Sequence, residues 1–109
     1  MTSEQTEEFR DSLNNEIEEF EQKMLSKDKK YIYDRAYMIN AMESIYDNLY
    51  ANCEHYEIDV FFEKPFIHRI YNFFMNSNYD LSSDDFYYLM EDYKEYKERW
   101  KSNKDEAVL

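Results

Sequence analysis

Hydrophobic residues recur at helical spacing from the start of the chain. In residues 3–25 they follow one another at steps of three or four, which places them on one face of an α-helix. They are Phe9, Leu13, Ile17, Phe20 and Met24. Ser3 is the predicted N-cap, because a serine hydroxyl can accept a hydrogen bond from a free N–H of the first turn. The pattern predicts a first amphipathic helix over residues 3–25.

A polar break at residues 26–30 separates this helix from a second one. Ser26 or Asp28 is the expected cap, and the second helix is predicted to continue to about Ala51 or Cys53. Its buried line consists of Met38, Met42, Ile45 and Leu49, widened by Ile32, Ile39 and Tyr46. The spacing again indicates an amphipathic helix.

The middle of the chain, residues 54–64, has the weakest pattern. Within it, residues 58–62 (Ile-Asp-Val-Phe-Phe) predict either a short strand or an extended loop packed on the core. Pro65 then suits the first turn of a third helix, where the N–H that proline lacks has no partner in any case. The apolar face of that helix consists of Phe66, Ile67, Ile70, Phe73 and Phe74, and residues 76–78 end it.

The fourth helix has the clearest start. Ser82 is the predicted N-cap with Asp85 at the N3 position, and Leu81 and Phe86 flank the cap as a hydrophobic staple. One face then carries Phe86, Leu89, Met90, Tyr93, Tyr96 and Trp100. Residues 102–109 are expected to fray. The chain is thus predicted to be one all-α domain (residues 1–109, core about 3–101), a compact bundle of about four helices.

Composition narrows the possible functions. The 109 residues include 25 Asp and Glu against 13 Lys and Arg, a net charge of −12, which should repel nucleic acid and anionic membranes. There is no glycine, so the glycine-rich turns of nucleotide-binding loops and of the GxSxG nucleophile elbow cannot form. No apolar run approaches the roughly 20 residues of a membrane span, and no signal peptide is recognisable. We expect a cytoplasmic protein.

The first helix carries an unbalanced acidic face. Eight acids lie between Glu4 and Glu21, and their only basic neighbours are Arg10 and Lys23. A helical wheel places most of these acids opposite the apolar line. The candidate partner-binding residues are Glu7, Glu8, Asp11, Glu18 and Glu19. The alternative is a solvated helix face, which is the usual role of a charge run.

The fourth helix carries a second acidic stripe, formed by Asp84, Tyr88, Glu91, Glu95 and Glu98. The first four of these residues are further candidates for partner binding. Lysines and arginines flank this stripe, so an ordinary ion-paired surface is the alternative interpretation.

Tyrosine is abundant, with twelve copies beside eight phenylalanines and one tryptophan. Tyr33 and Tyr37 are one turn apart on the polar side of the second helix, and they complete the candidate contact set. Exposed tyrosine provides interface area at low entropic cost. The alternative is a tyrosine at the core boundary, with its ring buried and its hydroxyl in water.

Catalytic and metal-binding chemistry is not indicated. His55 and His68 are isolated histidines, and Cys53 with His55 supplies at most two metal ligands. No CxxC, HExxH or Glu-x-x-His arrangement is present. We therefore expect no metal, no cofactor and no enzymatic activity.

Several short motifs resemble a family of small helical domains from bacterial mobile elements. They are Asn15-Glu16-Ile17, Tyr31-Ile32 with Tyr37, and Asp80-Leu81-Ser82 followed by Leu89 and Trp100. The likeness excludes the aromatic-rich segment 52–79, and the chain lacks the paired prolines expected before the second helix. The family implies no assigned activity. In type (small, acidic and rich in tyrosine), the chain is also similar to phage-encoded anti-CRISPR proteins and other DNA-mimic inhibitors.

These observations predict an acidic inhibitor or decoy that binds the basic nucleic-acid groove of a host defence protein, such as a CRISPR effector nuclease, in the bacterial cytoplasm. The alternative is a protein–protein adaptor or homodimer that uses the aromatic segment 60–74. A helical domain with a merely solvated acidic surface is the third interpretation.

Overall fold

Five helices make up the regular structure of the described residues. The structure is a computed structural model that describes residues 2–53 and 63–108, with side-chain surroundings as far as Arg99 apart from Ser83. The helices are α1 (Ser3–Leu25), α2 (Lys29–Asp34), α3 (Ala36–Asn52), α4 (Phe66–Met75) and α5 (Ser83–Val108). No strand occurs in these residues, which confirms the all-α prediction. The expected extended segment 58–62 lies outside the described residues.

Helix α1 spans the predicted residues, but its N-cap lies one residue earlier than expected. Thr2, not Ser3, is its N-cap. The Thr2 hydroxyl accepts a hydrogen bond from the Gln5 N–H at 3.1 Å, and the Gln5 side chain accepts one from the Thr2 N–H at 2.8 Å. This reciprocal pair satisfies two N–H groups at the helix start. The prediction of Ser3 was wrong because the Thr-x-x-Gln spacing identifies the box, and Ser3 has no matching partner.

The predicted second helix is divided at Arg35. Asp28 caps α2, since its carboxylate accepts a hydrogen bond from the Tyr31 N–H at 2.8 Å, whereas Ser26 is the C-cap of α1. At Arg35 the backbone leaves the α region (φ −110°, ψ 19°), and its N–H donates to Ile32 O at 3.1 Å. The guanidinium lies 3.7 Å from the centre of the Tyr31 ring. No residue of α2 is fully buried, and Tyr31 is its residue that packs against the core, partly buried.

The core lies among α1, α3, α4 and α5. All five apolar residues predicted for α1 are buried, as are Met42, Ile45 and Leu49 of α3, whereas Met38, predicted for the same line, is only partly buried. Helix α4 contacts α1, α3 and α5, and its Ile67, Ile70 and Phe74 are buried between them. The core residues of α5 are Phe86, Leu89, Met90 and Tyr93. The structure therefore confirms the helical periodicity that the sequence displays.

The start of α5 matches half of the predicted capping box. The Asp85 N–H donates to the Ser82 hydroxyl at 3.3 Å, as expected. The Asp85 carboxylate, however, accepts from the Asp80 N–H at 2.9 Å, while the Ser82 N–H donates to the Asp80 carboxylate at 2.8 Å. Helix α5 also continues to Val108, beyond the expected end of the core near residue 101. The burial predicted for Trp100 lies outside the described side chains.

Much of the aromatic segment 60–74 is used within this chain. Ile67, Ile70 and Phe74 are buried, and Phe66 and Phe73 pack against the core. Residues 60–62 lie outside the described residues. A dimer through this segment stays a prediction, with the described part of its apolar surface already in contact with α1, α3 and α5.

Candidate functional site

The outward face of α1 carries seven exposed carboxylates. They are Glu4, Glu7, Glu8, Asp11, Glu18, Glu19 and Glu21. Among the residues that the structure describes, none of the seven forms an ion pair with a lysine, arginine or histidine. All five candidates that the sequence identified on this helix therefore lie on one solvent-facing surface, which we call the α1 acidic face.

The eighth acid of α1, Glu16, points inward and does not belong to this face. Its side chain is 10% exposed. Its carboxylate accepts hydrogen bonds from the backbone N–H groups of Ile67 and His68 at 2.9 and 2.8 Å, and from His68 Nδ1 at 2.6 Å. The sequence counts Glu16 among the eight acids between Glu4 and Glu21 but not among the candidate contacts, and the structure leaves the other seven exposed. His68, expected to be an isolated boundary residue, is half-buried but bound to α1.

Arg10, one of the two basic residues of α1, is also engaged elsewhere. Its Nε donates to the backbone carbonyl of Tyr50 at 3.1 Å, and its guanidinium lies 5.0 Å from the centre of the Tyr50 ring. The guanidinium is thereby held against α3. Among the described residues no cation forms an ion pair with the α1 acidic face, although Lys64 and Glu19 line the same small cavity.

Acids of α3 extend the negative surface beyond α1. The hydroxyl of Tyr46 on α3 donates a hydrogen bond to the side chain of Asn14 on α1. Burial raises the pKa of Tyr46, and the neighbouring Tyr50, Asp47, Glu18 and Glu21 raise it further. These acids are therefore close enough to act on one hydroxyl. Glu21 and Asp47 were not among the candidates predicted from the sequence, although both lie beside the apolar lines of their helices.

The two candidate tyrosines lie on different helices. Tyr33 is in α2 and is 80% exposed, and Tyr37 is in the first turn of α3 and is 64% exposed. Tyr37 and Tyr46 are nine residues apart, which is two and a half helical turns and places them on opposite sides of α3. Since Tyr46 faces α1, Tyr37 lies on the side away from the α1 acidic face. The structure therefore separates Tyr37 from the α1 acids.

The α5 stripe is exposed but is partly neutralised. Asp84, Tyr88, Glu91, Glu95 and Glu98 all face solvent. Glu95 pairs with Arg99 at 3.6 Å, with both side chains largely exposed. The ring of Tyr88 packs edge-on against that of Tyr87, with centroids 5.6 Å apart. Ordinary ion pairing between exposed side chains therefore accounts for part of this stripe, whereas the α1 acidic face has no such pair among the described residues.

A groove of the opposite charge lies between α4 and α5. Its volume is about 390 Å³, and Arg69 and Lys97 stand beside an aromatic floor that includes Phe73, Tyr93 and Tyr96. The Arg69 side chain already forms one hydrogen bond within the protein, since its Nε donates to the backbone carbonyl of Lys64 at 3.0 Å. Arg69 also pairs with Glu63 at 3.9 Å, and neither Arg69 nor Lys97 forms an ion pair with the α1 acidic face.

The described residues contain neither a metal-binding cluster nor a helix able to span a membrane. In residues 2–53 and 63–108 no three His, Cys, Asp or Glu side chains are grouped so as to hold a metal ion. Cys53 is buried, and His55 lies outside the described residues. None of the described helices has both the length and the apolar character needed to cross a bilayer.

Comparison of the chain with protein-family models, with curated proteins and with solved structures finds no significant match. The function of this protein is therefore inferred from the charges and contacts of its described residues.

Proposed function

We propose that this protein is a stoichiometric inhibitor that acts as a decoy for nucleic acid. In this proposal the α1 acidic face occupies the basic nucleic-acid groove of a host defence protein, such as a CRISPR effector nuclease. The observation that supports it is the row of seven exposed carboxylates without an ion-pair partner among the described residues. A surface with such a charge excess attracts a cationic groove over long range and accelerates docking.

The spacing of these carboxylates suits a phosphate-binding groove. The 18 residues from Glu4 to Glu21 extend over about 27 Å of helix, at about 1.5 Å per residue. Seven carboxylates over that length give about one per 3.9 Å. A DNA strand presents one phosphate per about 3.4 Å of axis. If the lysines and arginines of a groove are spaced to bind successive phosphates, nearly every one of them would therefore find a carboxylate of the α1 acidic face opposite it.

The scaffold holds this row in place. Leu13 is fully buried, and Ile17 and Phe20 are nearly so, which fixes the opposite side of α1 against the core. Like charges one turn apart cost helix stability by a few tenths of a kcal/mol per pair. Burial of one large apolar side chain contributes about 1.5–3 kcal/mol, so the apolar line more than offsets this repulsion. The carboxylates can thus remain outward and unpaired in the free protein.

Exposed tyrosines on the other helices offer further contacts to a partner large enough to reach them. Tyr33 and Tyr37 present rings outside the α1 acidic face, and Tyr87 and Tyr88 do so on α5. Aromatic rings stack on arginine side chains and on bases, and each ring orders few rotatable bonds on binding. In this proposal charge governs the association rate, and these rings slow dissociation.

The experiment is a capture at low salt followed by competition. The immobilised protein is incubated with bacterial lysate at about 50 mM salt, and the captured protein is identified and purified. Binding of the purified partner is then measured at about 50 and about 500 mM salt, with and without duplex DNA or guide RNA. The proposal expects a basic nucleic-acid-binding partner, steep weakening with salt, and displacement by nucleic acid. Affinity that is flat in salt, or insensitive to nucleic acid, would overturn it.

A further inference from the structure

A second groove lies on the side of α3 away from the α1 acidic face. It runs between α3, the end of α4 and residues 79–81, and its volume is about 270 Å³. Its polar lining includes Tyr37, Asn40, Ser44, Tyr79 and Asp80, above an apolar floor. Pockets that hold whole small molecules measure about 300–1,000 Å³. The smaller volume here suits one long side chain of a partner protein.

The walls of this groove are held by hydrogen bonds. The Tyr79 hydroxyl donates to the Asp92 carboxylate at 2.6 Å, which ties the ring to α5. Asp80 accepts from the Ser82 N–H at 2.8 Å, and the Asp80 N–H donates to the Asp85 carboxylate at 2.9 Å. Hydrogen bonds from Ser82 also lower the pKa of Asp80, so its carboxylate is ionised at neutral pH. Because these groups are positioned in the free protein, little ordering is needed on binding.

The chemistry of the lining favours a guanidinium group. A planar guanidinium stacks on tyrosine rings and donates up to five hydrogen bonds in fixed directions. The groove offers two rings, one carboxylate, and oxygen acceptors on Asn40 and Ser44. The same chain already uses arginine–tyrosine stacking, since Arg35 lies 3.7 Å from the centre of the Tyr31 ring. A lysine ammonium is a compact, strongly hydrated charge and would exploit fewer of these groups.

We infer that this groove, with Tyr37 and Asp80 at its rim, receives an arginine side chain of the basic partner. The inference rests on the proposed function, because that function supplies a partner rich in arginine. Tyr37 then provides a contact separate from the α1 acidic face, and that face provides the long-range attraction. Charge complementarity supports this occupant, since the chain carries a net charge of −12 and Asp80 is exposed.

The test uses a small probe and needs no partner. Isotope-labelled protein is titrated with N-acetyl-L-arginine amide, and separately with N-acetyl-L-lysine amide, at constant ionic strength. With the arginine probe, we expect saturable shifts in the amide resonances of Asn40, Ser44 and Tyr79. The lysine probe is expected to bind several-fold more weakly. Tyr37→Ala should weaken arginine binding by about two- to fivefold, as expected for one exposed cation–π contact.

Matched variants make the result specific. Tyr33→Ala removes a still more exposed tyrosine outside the groove and should leave the titration unchanged. Asp80→Asn keeps an oxygen acceptor for the Ser82 N–H while removing the charge, and should weaken the arginine probe. Any of three results would overturn the inference: shifts scattered over the acids of α1, an equal response to both probes, or arginine binding that Tyr37→Ala does not change. Charge reversal on α1 is expected to leave this titration unaltered, so failure of the decoy proposal and failure of this inference are distinguishable.

Discussion

The Glu16 carboxylate accepts two hydrogen bonds from His68, one from the backbone N–H at 2.8 Å and one from ring Nδ1 at 2.6 Å. It also accepts from the Ile67 N–H, 51 residues away in sequence. Helix α4 has Pro65 at its N-cap and no side-chain cap of its own. A side chain of α1 therefore performs the capping of α4, and the same contact fixes the rotation of α1 about its axis. That rotation determines which acids face solvent.

Replacement of Glu16 should destabilise the fold more than replacement of any exposed acid on α1. Glu16→Ala leaves N–H groups at the start of α4 without an acceptor, and hydrogen bonds to a charged group contribute about 1.5–3 kcal/mol each. Because water can partly replace the carboxylate, we expect a loss of about 1–3 kcal/mol in the free energy of unfolding, measured by urea denaturation. Glu19→Ala is the matched control and should change stability by less than about 0.5 kcal/mol. Equal effects of the two variants would contradict the capping role.

The start of α1 offers a second test, between adjacent residues. Thr2→Ala removes the hydroxyl that accepts from the Gln5 N–H and should cost about 0.5–2 kcal/mol of unfolding free energy. Ser3→Ala alters the first helical residue, where alanine is favourable, and should cost at most a few tenths of a kcal/mol. Thermal and urea denaturation of the two variants give the comparison. If Ser3→Ala lowers the free energy of unfolding more than Thr2→Ala does, Ser3 and not Thr2 is the N-cap.

Periodicity was sufficient to predict which faces of the helices are buried. The five apolar residues of α1 and the main buried line of α3 follow from their spacing because packing requires one apolar stripe per helix. Spacing could not reveal the break at Arg35. Arginine is a good helix former, and the apolar pattern continues across it. The break became visible only in the backbone geometry at that residue.

The candidate site was predictable in part, for a similar reason. The exposed acids of α1 follow from their position opposite the apolar line. Glu16 lies next to that line and was not among the candidates, but its partners are 51 and 52 residues away, so no local pattern could predict that it caps another helix. The separation of Tyr37 from the α1 acidic face likewise depends on the tertiary placement of α3. The sequence therefore predicts an excess of acids on α1, and tertiary packing determines which of them are exposed.

Alkaline pH should weaken the fold through Tyr93. Burial raises the pKa of Tyr93 to about 12, with Glu63 and Tyr96 adding to the effect and Arg69 opposing it. In the unfolded chain the phenol loses its proton near pH 10, whereas the folded protein retains it to about 12. The unfolded state is therefore favoured as pH rises through this window, and the free energy of unfolding should fall by at most about 1.4 kcal/mol per pH unit from this group.

The measurement is urea denaturation from pH 8 to 12 for the wild type and Tyr93→Phe. The variant lacks the titrating hydroxyl, so its stability should decline less steeply above about pH 10. The lysines and the other tyrosines titrate in both proteins, and their contribution cancels in the difference. A difference between the two proteins that is constant across this range would show that Tyr93 does not contribute.

Reversal of charge on the α1 acidic face should separate binding from folding. In the triple variant Glu8→Lys, Asp11→Lys and Glu18→Lys, three exposed carboxylates become cations. Each exposed ion pair contributes up to about 1 kcal/mol, and repulsion adds to its loss, so partner affinity should fall by about tenfold or more at low salt. Unfolding free energy should be unchanged or slightly higher, because repulsion between like charges along α1 is relieved.

The control for this variant has the same net charge with the reversals on α5. Asp84→Lys, Glu91→Lys and Glu98→Lys change exposed acids in a stripe where Glu95 already pairs with Arg99. If the α1 acidic face is the contact surface, the α5 variant retains most of its affinity, because long-range attraction falls equally in both proteins while only the α1 variant loses direct contacts. Equal weakening of the two variants would mean that net charge governs binding and that α1 has no special role. Stronger weakening by the α5 variant would place the contact surface on α5.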